Sequence, residues 1–438
     1  MSIWTHNLKS TEFLPEHTQG EYSGMAVRVG AGVQNGEYFN FMADNNIAMV
    51  APGPSTVGVG GGWMGNGGHG NLASYYGLGA DQVLSAQMVT ADGRFVTADP
   101  ETNEDIFFAI RGGGAGKESN SLVGSLLISW KGTYGVITSL VMKAYPSLNT
   151  TASSINFSIG PGGTLSPSQT EIFWQGVNLH YKFTEKVVAA GAYVWGYVYA
   201  LGNGTFRLTS SATFPNKTTA DVYAFMQPLY DDLNRIGINI TNPKSLRSTP
   251  YASHRPQGGA SPAETRYRSR LIGRENWADE ELFNRTMNVI RKSAEGGYNV
   301  HLICLSPTKE VAGWPGTTNA LHPAWRNAII HSSLVTTQQK MTAQEARAEE
   351  AHIRTYTDMW REVTPGGGAY MNEGDPGEPY WQQAFFGDNY PRLREIKLEH
   401  DPWGVFWQQT GVGSEGWEVK AVDDYPHSQN GRLCRVDS

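Results

Sequence analysis

The segment Ala51-Pro-Gly-Pro-Ser-Thr-Val-Gly-Val-Gly-Gly-Gly-Trp-Met-Gly-Asn-Gly-Gly-His-Gly70 places nine glycines in twenty residues. A backbone this bare brings its N–H groups directly against an anionic ligand, and a nest of successive amides suits a pyrophosphate without any lysine. A glycine-rich structural loop is the other reading of the same composition. Gly60, Gly62 and Gly65, and again Gly65, Gly67 and Gly70, match G-x-G-x-x-G in letter. Neither lies between a clear strand and an amphipathic helix, so a Rossmann turn is not expected. His69 sits inside the nest with no evident metal partner.

Working outward, Met25 to Val33 reads as a strand, Glu37 to Asn45 as a short amphipathic helix, and Ile47 to Ala51 as a buried strand. Gln82 to Thr90 and Arg94 to Thr97 flank Asp92-Gly93, a pair that tolerates the positive φ of a tight hairpin. Glu104 to Arg111 reads as a helix behind an Asn103 cap, stopped by Gly112 to Gly114, and Tyr134 to Tyr145 as a β-branched strand. From Asn149 to about Pro376 the composition turns to Ser, Thr, Asn and aromatics, which predicts a second domain. Its strands are expected at Lys186 to Tyr199 and Asn299 to Leu305, with helices at Ala220 to Ile236 and Thr342 to Trp360 covering one face of the sheet. A last helix is expected from Tyr390 to His400, ended by Asp401-Pro402.

The 438 residues are 39% hydrophobic and 17% charged, enough to bury a large core in about two domains. A net charge of −7 and a pI near 5.9 argue against nucleic acid as a partner. No run of about 18 apolar residues occurs, so no membrane span is expected, and Ser2-Ile-Trp-Thr-His6 is not a signal segment. Cys304 and Cys434 are too few for a disulfide framework or a cysteine-rich metal site. Asn149, Asn156, Asn203, Asn216, Asn239 and Asn284 open N-x-Ser/Thr sequons confined to the middle of the chain, as on an exposed glycosylated domain. Gly112-Gly-Gly-Ala-Gly-Lys117 lacks the glycine and the hydroxyl of a phosphate loop, and G-x-S-x-G and H-E-x-x-H are absent.

In order along the chain stand Pro54-Ser-Thr-Val-Gly-Val-Gly-Gly61, Gly67-Gly-His-Gly70, Tyr76-Gly-Leu-Gly-Ala-Asp-Gln-Val83, the Asp92-Gly93 turn, Ile106-Phe-Phe-Ala-Ile-Arg-Gly-Gly-Gly114 and Tyr134-Gly-Val-Ile-Thr138. Near the other end come Asn389-Tyr-Pro-Arg-Leu393, Lys397 and Asp401-Pro-Trp-Gly-Val-Phe406. Together these resemble the fungal berberine bridge enzyme-like branch of the vanillyl-alcohol oxidase superfamily across nearly the whole chain. The resemblance implies an α+β protein: a split FAD-binding domain of the PCMH type and a central substrate domain whose antiparallel sheet is covered by helices. Residues 1–148 would form a second FAD lobe, 149–378 the substrate domain, and 379–438 a C-terminal segment completing the FAD domain. The flavin would lie against Pro54, Ser55, Thr56, Val57, Gly58, Gly60, Gly61, Gly65, Gly67, Gly68, His69, Gly70, Gly77, Leu78, Asp81, Gly135, Val136, Ile137 and Asn389.

What the resemblance implies chemically is oxidation of an alcohol or sugar hydroxyl, with FAD as cofactor, dioxygen as acceptor, hydrogen peroxide as product and no metal. Gly368-Ala-Tyr-Met-Asn-Glu-Gly-Asp375 matches the stretch that carries the base in relatives. Tyr370 is the expected base or base partner, with Asn372 orienting it and Tyr390 lining the pocket. An unaided phenol titrates near 10, so it would need an activating neighbour. Glu373 and Asp375 are the alternative carboxylates, although Gly374 and Pro376 beside them suggest an exposed turn. The abundant tryptophans and tyrosines would line a sugar-stacking or aromatic pocket, or simply pack the core.

The chain departs from the family in three places. Pro54 stands where relatives carry a cysteine linked to FAD, which excludes a cysteinyl bond. The family's histidyl link lies upstream of Ser2, in a first lobe expected to be missing, with Met1 an internal methionine or mis-assigned start; complete relatives are secreted. Lys117 to Lys131 separates two motifs that run together in relatives, as a retained intron or a surface loop would. An inactive flavin-fold protein and a non-redox carbohydrate-binding protein are the competing functions.

Overall fold

Alternating burial along the strands builds two antiparallel sheets, seen in a computed structural model that describes residues 3–114, 132–159, 167–240, 246–254, 256, 265–337 and 341–436. The first sheet joins β1 (Thr11–Gln19), β2 (Tyr22–Gly30), β3 (Val83–Val89), β4 (Phe95–Ala98) and β5 (Val136–Lys143) in the order β1–β2–β5–β3–β4. Asp92-Gly93 closes the β3–β4 hairpin as its composition predicts: Gly93 has φ of 85°, and Val89 pairs with Phe95. Behind the sheet, α1 (Asn35–Asp44) buries Tyr38, Phe39 and Met42, and α2 (Glu104–Ile110) buries Ile106, Phe107 and Ile110. The Glu37 carboxylate accepts the Gln34 N–H at 2.8 Å, which satisfies a donor that the first turn of α1 leaves unpaired.

The second sheet joins β6 (Asn149–Ser158), β7 (Tyr193–Gly202), β8 (Thr205–Pro215), β9 (Arg247–Pro250), β10 (Thr265–Gly273), β11 (Asn299–Cys304) and β12 (Ala328–Thr337) in the order β9–β6–β8–β7–β11–β12–β10. Its helices are α3 (Pro167–Ala189), α4 (Thr219–Arg235), α5 (Glu280–Glu295) and α6 (Ala343–Val363). Val300, Leu302 and Cys304 of β11 pack into the core these helices cover, together with Tyr181, Met226, Ile290 and Trp360. Side chains alternate on a strand, so His301 and Ile303 face the other way, onto the helix-free side. That side roofs the glycine-rich segment.

Four expectations are corrected. Lys186 to Ala189 finishes α3 instead of opening a strand, because Phe173, Val177, Tyr181, Thr184 and Val188 recur at helical spacing, and Gly191 at φ 82° ends the run. The strand expected from Met25 begins at Tyr22 and is preceded by β1. Of Ile47 to Ala51, only Ile47–Ala48 pairs, against Tyr145–Pro146. Tyr134 precedes β5 and is buried, its hydroxyl donating to Gly113 O at 3.1 Å. Lys117 to Lys131 lies outside the described residues.

Past the second sheet the chain returns to the first. Ala384, Phe385, Phe386, Val412, and Leu393 and Ile396 of α7 (Tyr390–His400) share one core with α1, α2 and the first sheet. Lys397 Nζ meets Asp401 Oδ2 at 2.6 Å and Thr133 O at 2.6 Å.

The two sheets are clamped by a buried carboxylate. Asp81 accepts two bonds from Arg326, at 2.7 and 2.9 Å, one from Asn319 Nδ2 at 2.7 Å and one from Leu78 N–H at 2.8 Å. Alongside it, Arg111 donates to Pro315 O at 2.9 Å and Thr318 O at 2.6 Å. Removing one partner from a buried pair strands the other charge. Asp81→Ala is therefore expected to cost about 3–5 kcal/mol in denaturant unfolding. An unchanged unfolding midpoint would refute the clamp.

Candidate active site

The start of the glycine-rich segment is shaped by α1. Asn35 Nδ2 donates to the carbonyls of Pro52, Gly53 and Pro54 at 2.8, 3.3 and 3.2 Å. Ser55 O and Val57 O accept the amides of Gly36 and Asn35 at 2.9 and 2.8 Å, and Thr56 O accepts Gln34 Nε2 at 3.0 Å. Six successive carbonyls thus turn toward the helix. Across a planar trans peptide the following N–H points the opposite way, so the amides of Gly53, Ser55, Thr56 and Gly58 face away from α1. A Cβ added at Gly53 would meet nothing within 4 Å, so the backbone is uncrowded at that residue. This is a fitting cradle for a pyrophosphate.

Further along, the glycines serve packing. A Cβ at Gly68 or Gly79 would strike the Trp63 ring at 2.9 or 2.6 Å, at Gly70 the Ala51 carbonyl at 2.0 Å, and at Gly60 the Ala31 Cα at 3.2 Å. Gly67 packs on Leu321, Gly77 on Asp81 and Ala312, and Gly135 on Met88 and Val89. Gly65 O accepts the amides of Gly112 and Gly114, and Gly61 sits in an irregular turn at φ −124°, ψ −127°. For this later part of the segment the structural-loop reading applies.

The glycine segment delivers His69 to the roof. His69 Nε2 lies 3.1 Å from Glu373 Oε1, and Nδ1 lies 3.0 Å from the Tyr193 hydroxyl on β7. His331 of β12 places Nε2 at 2.8 Å from Glu373 Oε2. Beside them Asn372 Nδ2 donates to the Tyr370 phenol oxygen at 2.6 Å and to Gly62 O at 3.0 Å, while Asn66 Nδ2 donates to Asn372 Oδ1 at 2.5 Å. The rings of His69, His331 and Trp325 each stand edge-on to Tyr370, with centroids 5.3 to 5.5 Å away.

Burial disfavours charge on Glu373, yet the imidazoles of His331 and His69 outweigh it and hold the carboxyl well below the usual range. Burial pushes the Tyr370 phenol up; Glu373 adds to the rise, and Asn372 with the Gly68 amide only partly offsets it. Burial likewise lowers His331, despite Glu373. Glu373 keeps 20% and His69 15% of its side-chain surface exposed, whereas Tyr370 keeps 2%. The accessible groups are the carboxylate and His69.

Several sequence-predicted residues sit elsewhere. Tyr390 is not brought to Tyr370 and Asn372: its hydroxyl donates to Glu415 at 2.6 Å and its ring packs on Trp381 and Phe386. Asp81 is spent on the clamp, Leu78 is fully buried, and Asn389 donates to Leu321 O at 2.9 Å. Val136 and Ile137 lie on β5, paired with Val89 and Met88. Glu373 is not an exposed turn residue, and Asp375 is buried 3.7 Å from Arg268. His69 does have potential metal-ligand neighbours, since its ligand atom and those of His331 and Glu373 lie within 4.8 Å of one another. His331 itself was missed, and its signal was a histidine in the apolar run Ala328-Ile-Ile-His-Ser-Ser-Leu-Val335.

Comparison with known proteins finds relatives along nearly the whole chain. Residues 11–99 match the family described as FAD binding domain, and residues 369–413 match Berberine and berberine like. The chain is 31% identical to FAD-linked oxidoreductase ZEB1 of Gibberella zeae, over 99% of this chain and 71% of that protein. It is 32% identical to FAD-linked oxidoreductase patO of Aspergillus clavatus, over 100% of this chain and 70% of that one. The crystal structure of the VAO-type flavoprotein MtVAO615 from Myceliophthora thermophila superposes with a TM-score of 0.82 at 27% identity, covering 99% of this chain and 74% of that one. Berberine bridge enzyme from Eschscholzia californica shares the fold, with a TM-score of 0.66 at 16% identity over 93% of this chain and 79% of that one.

Burial also lowers His180 to about 4, His301 to about 3 and His322 to about 4. With His331 they stay neutral in the fold but take protons near pH 6.5 once unfolded. Stability is then full above about pH 6.5 and falls as pH drops toward about 4, by about 1 kcal/mol per pH unit for each histidine. Glu373 loses its own contribution only below about pH 4. Guanidinium melts at pH 7, 6 and 5 are expected to show a falling midpoint at constant slope, with His180→Gln flattening the trend. Equal midpoints would refute it.

Proposed function

We propose, for a chain that belongs to the FAD-linked oxidoreductases of the vanillyl-alcohol oxidase and berberine bridge enzyme type, that it oxidises a hydroxyl of a small alcohol or carbohydrate with dioxygen as acceptor. FAD is the cofactor, and when bound it takes a hydride from the carbinol carbon and returns the electrons to dioxygen as hydrogen peroxide. The amides of Gly53, Ser55, Thr56 and Gly58 would receive its pyrophosphate.

The observation that carries this reading is the Glu373 carboxylate held between His69 and His331 at the junction of glycine segment and roof. Two imidazoles keep it ionised near neutrality and ready to accept the hydroxyl proton as hydride leaves. Tyr370, buried and pushed up, stays protonated; we assign it, with Asn372 bonded to its phenol, to the wall that packs behind the carboxylate and His69. This moves the base from Tyr370, the expected choice, to the neighbouring carboxylate. On the open end of the roof Trp195, 47% exposed, stands beside the stacked rings of Tyr197 and Tyr199, which supports a substrate with a flat or sugar-like face.

The purified chain is expected to show flavin absorbance and to form peroxide with at least one member of a panel of sugars and of primary and secondary alcohols. With that substrate, Glu373→Gln slows anaerobic flavin reduction by about 10²–10³-fold at unchanged flavin content, and Tyr370→Phe by less than about tenfold. The reverse ranking would return the base to Tyr370, and a colourless chain would favour a non-redox function.

Secretion and glycosylation belong to the same proposal. All six sequon asparagines are exposed in the fold. Produced through a secretory pathway, the protein is expected to lose mass on enzymatic removal of N-glycans; an unchanged mass would exclude modification.

A further inference from the structure

Three side chains from distant parts of the sequence bring their polar ends to one point. His69 arrives on the glycine segment, His331 on β12 and Glu373 on the turn Met371–Glu373. Glu373 Oε1 lies 3.1 Å from His69 Nε2, and Oε2 lies 2.8 Å from His331 Nε2. One ligand atom from each residue falls within 4.8 Å of the other two. The imidazole rings stand with centroids 5.4 Å apart and planes inclined by 48°. In a tetrahedral zinc site with bonds of about 2.0–2.1 Å, neighbouring ligand atoms are about 3.3 Å apart, so each histidine needs to draw back from Glu373 by only a few tenths of an ångström to admit an ion.

Charge, orientation and access all favour a cation there. Among the described residues the ion-pair partners of Glu373 are these two imidazoles alone. Burial lowers His331, so near neutrality the carboxylate is bonded to no permanent positive charge. His69 Nδ1 lies 3.0 Å from the Tyr193 hydroxyl, where a proton on Nδ1 is received and the Nε2 lone pair is left for an ion. A hydrogen-bond partner on the far ring nitrogen is what orients metal-bound histidines. The rings of Trp325 and Tyr370 pack against His331, with centroids 5.8 and 5.4 Å away, and hold it in place. His331 is fully buried, whereas Glu373 and His69 are partly exposed and reachable from outside. Two imidazoles and one carboxylate suit zinc and its transition-row neighbours, while magnesium and calcium ask for a shell of oxygens.

We propose that His69, His331 and Glu373 form a binding site for one divalent transition-metal ion of the zinc type, held through both Nε2 atoms and the carboxylate, with its remaining positions open to water. Each neutral imidazole carries its ring proton on Nδ1 once the ion takes the Nε2 lone pair, so the carboxylate exchanges two N–H donors for one cation. The site goes beyond the metal-free chemistry that the family resemblance implies. An ion held there occupies the lone pairs that would receive the hydroxyl proton, and the oxidase is switched off. Binding stands on the geometry alone; only the inhibition rests on Glu373 being the proton acceptor.

The test uses the whole chain, stripped with a chelator and titrated with zinc chloride by calorimetry. One ion per chain is expected to bind in the micromolar range or tighter. His69→Gln and Glu373→Gln each weaken binding by more than about tenfold, and Tyr193→Phe, which removes the outer partner of His69, by about tenfold. His400→Ala, in the separate group Asp105, Glu399 and His400 that also has ligand spacing, leaves the affinity unchanged. Cobalt in place of zinc is expected to show d–d bands to the red of any flavin absorption, and these vanish in Glu373→Gln. In the flavin-loaded protein one equivalent of zinc stops substrate-driven flavin reduction, and a chelator restores it. Absence of saturable binding, or binding that persists in both His69→Gln and Glu373→Gln, overturns the proposal. If zinc binds at these residues and turnover continues, the site stands and the assignment of Glu373 as the base fails.

Discussion

A single carboxylate, Asp81, holds the two sheets in mutual register. It lies in the first sheet's half of the chain, has no exposed surface, and takes all its donors but one from the segment between Asn319 and Arg326. A buried charge satisfied this completely tolerates little displacement of either side. Trp325 precedes Arg326 directly and packs on Tyr370, while His322, four residues before Arg326, donates its Nε2–H to the Gln383 carbonyl at 2.9 Å. The clamp therefore governs where the roof meets the glycine segment, and through it the spacing of His69 from Glu373.

The chemistry of the site follows from which charges that junction permits. One carboxylate, two imidazoles and a ring of raised phenols give a cluster whose negative charge is localised on Glu373. Phenols in this setting hold their protons and serve as donors, whereas the carboxylate remains free to receive one. Division of labour between neighbouring groups thus arises from burial and pairing more than from the intrinsic acidity of any one side chain.

Much of this was legible in the chain. The Asp92-Gly93 hairpin, the helix behind Asn103 and the covering helices α4 and α6 follow from local turn chemistry and periodicity, which act over a few residues. The glycine segment was legible as bare, sharply bent backbone but not in what each glycine is for, because a glycine demanded by a Trp63 ring looks the same as one demanded by a ligand. Long-range partnerships left no local trace. Nothing near Asp81 announces Arg326, 245 residues away, and nothing near Glu373 announces His331, 42 residues away on a strand of the second sheet. The Gly374 and Pro376 neighbours of Glu373 describe a turn correctly, yet exposure depends on what folds over it. Lys186 to Ala189 misled because β-branched and small residues suit a buried helix face as well as a strand.

The Asn35 side chain, by gathering three carbonyls onto one amide nitrogen, has a further consequence for how this protein meets its surroundings. The surface it shapes is made of peptide dipoles, which neither gain nor lose protons and present no mobile ionic charge for salt to screen. An anion bound there would be held by backbone geometry, indifferent to pH, whereas the protonation of the imidazole and carboxylate cluster follows acidity.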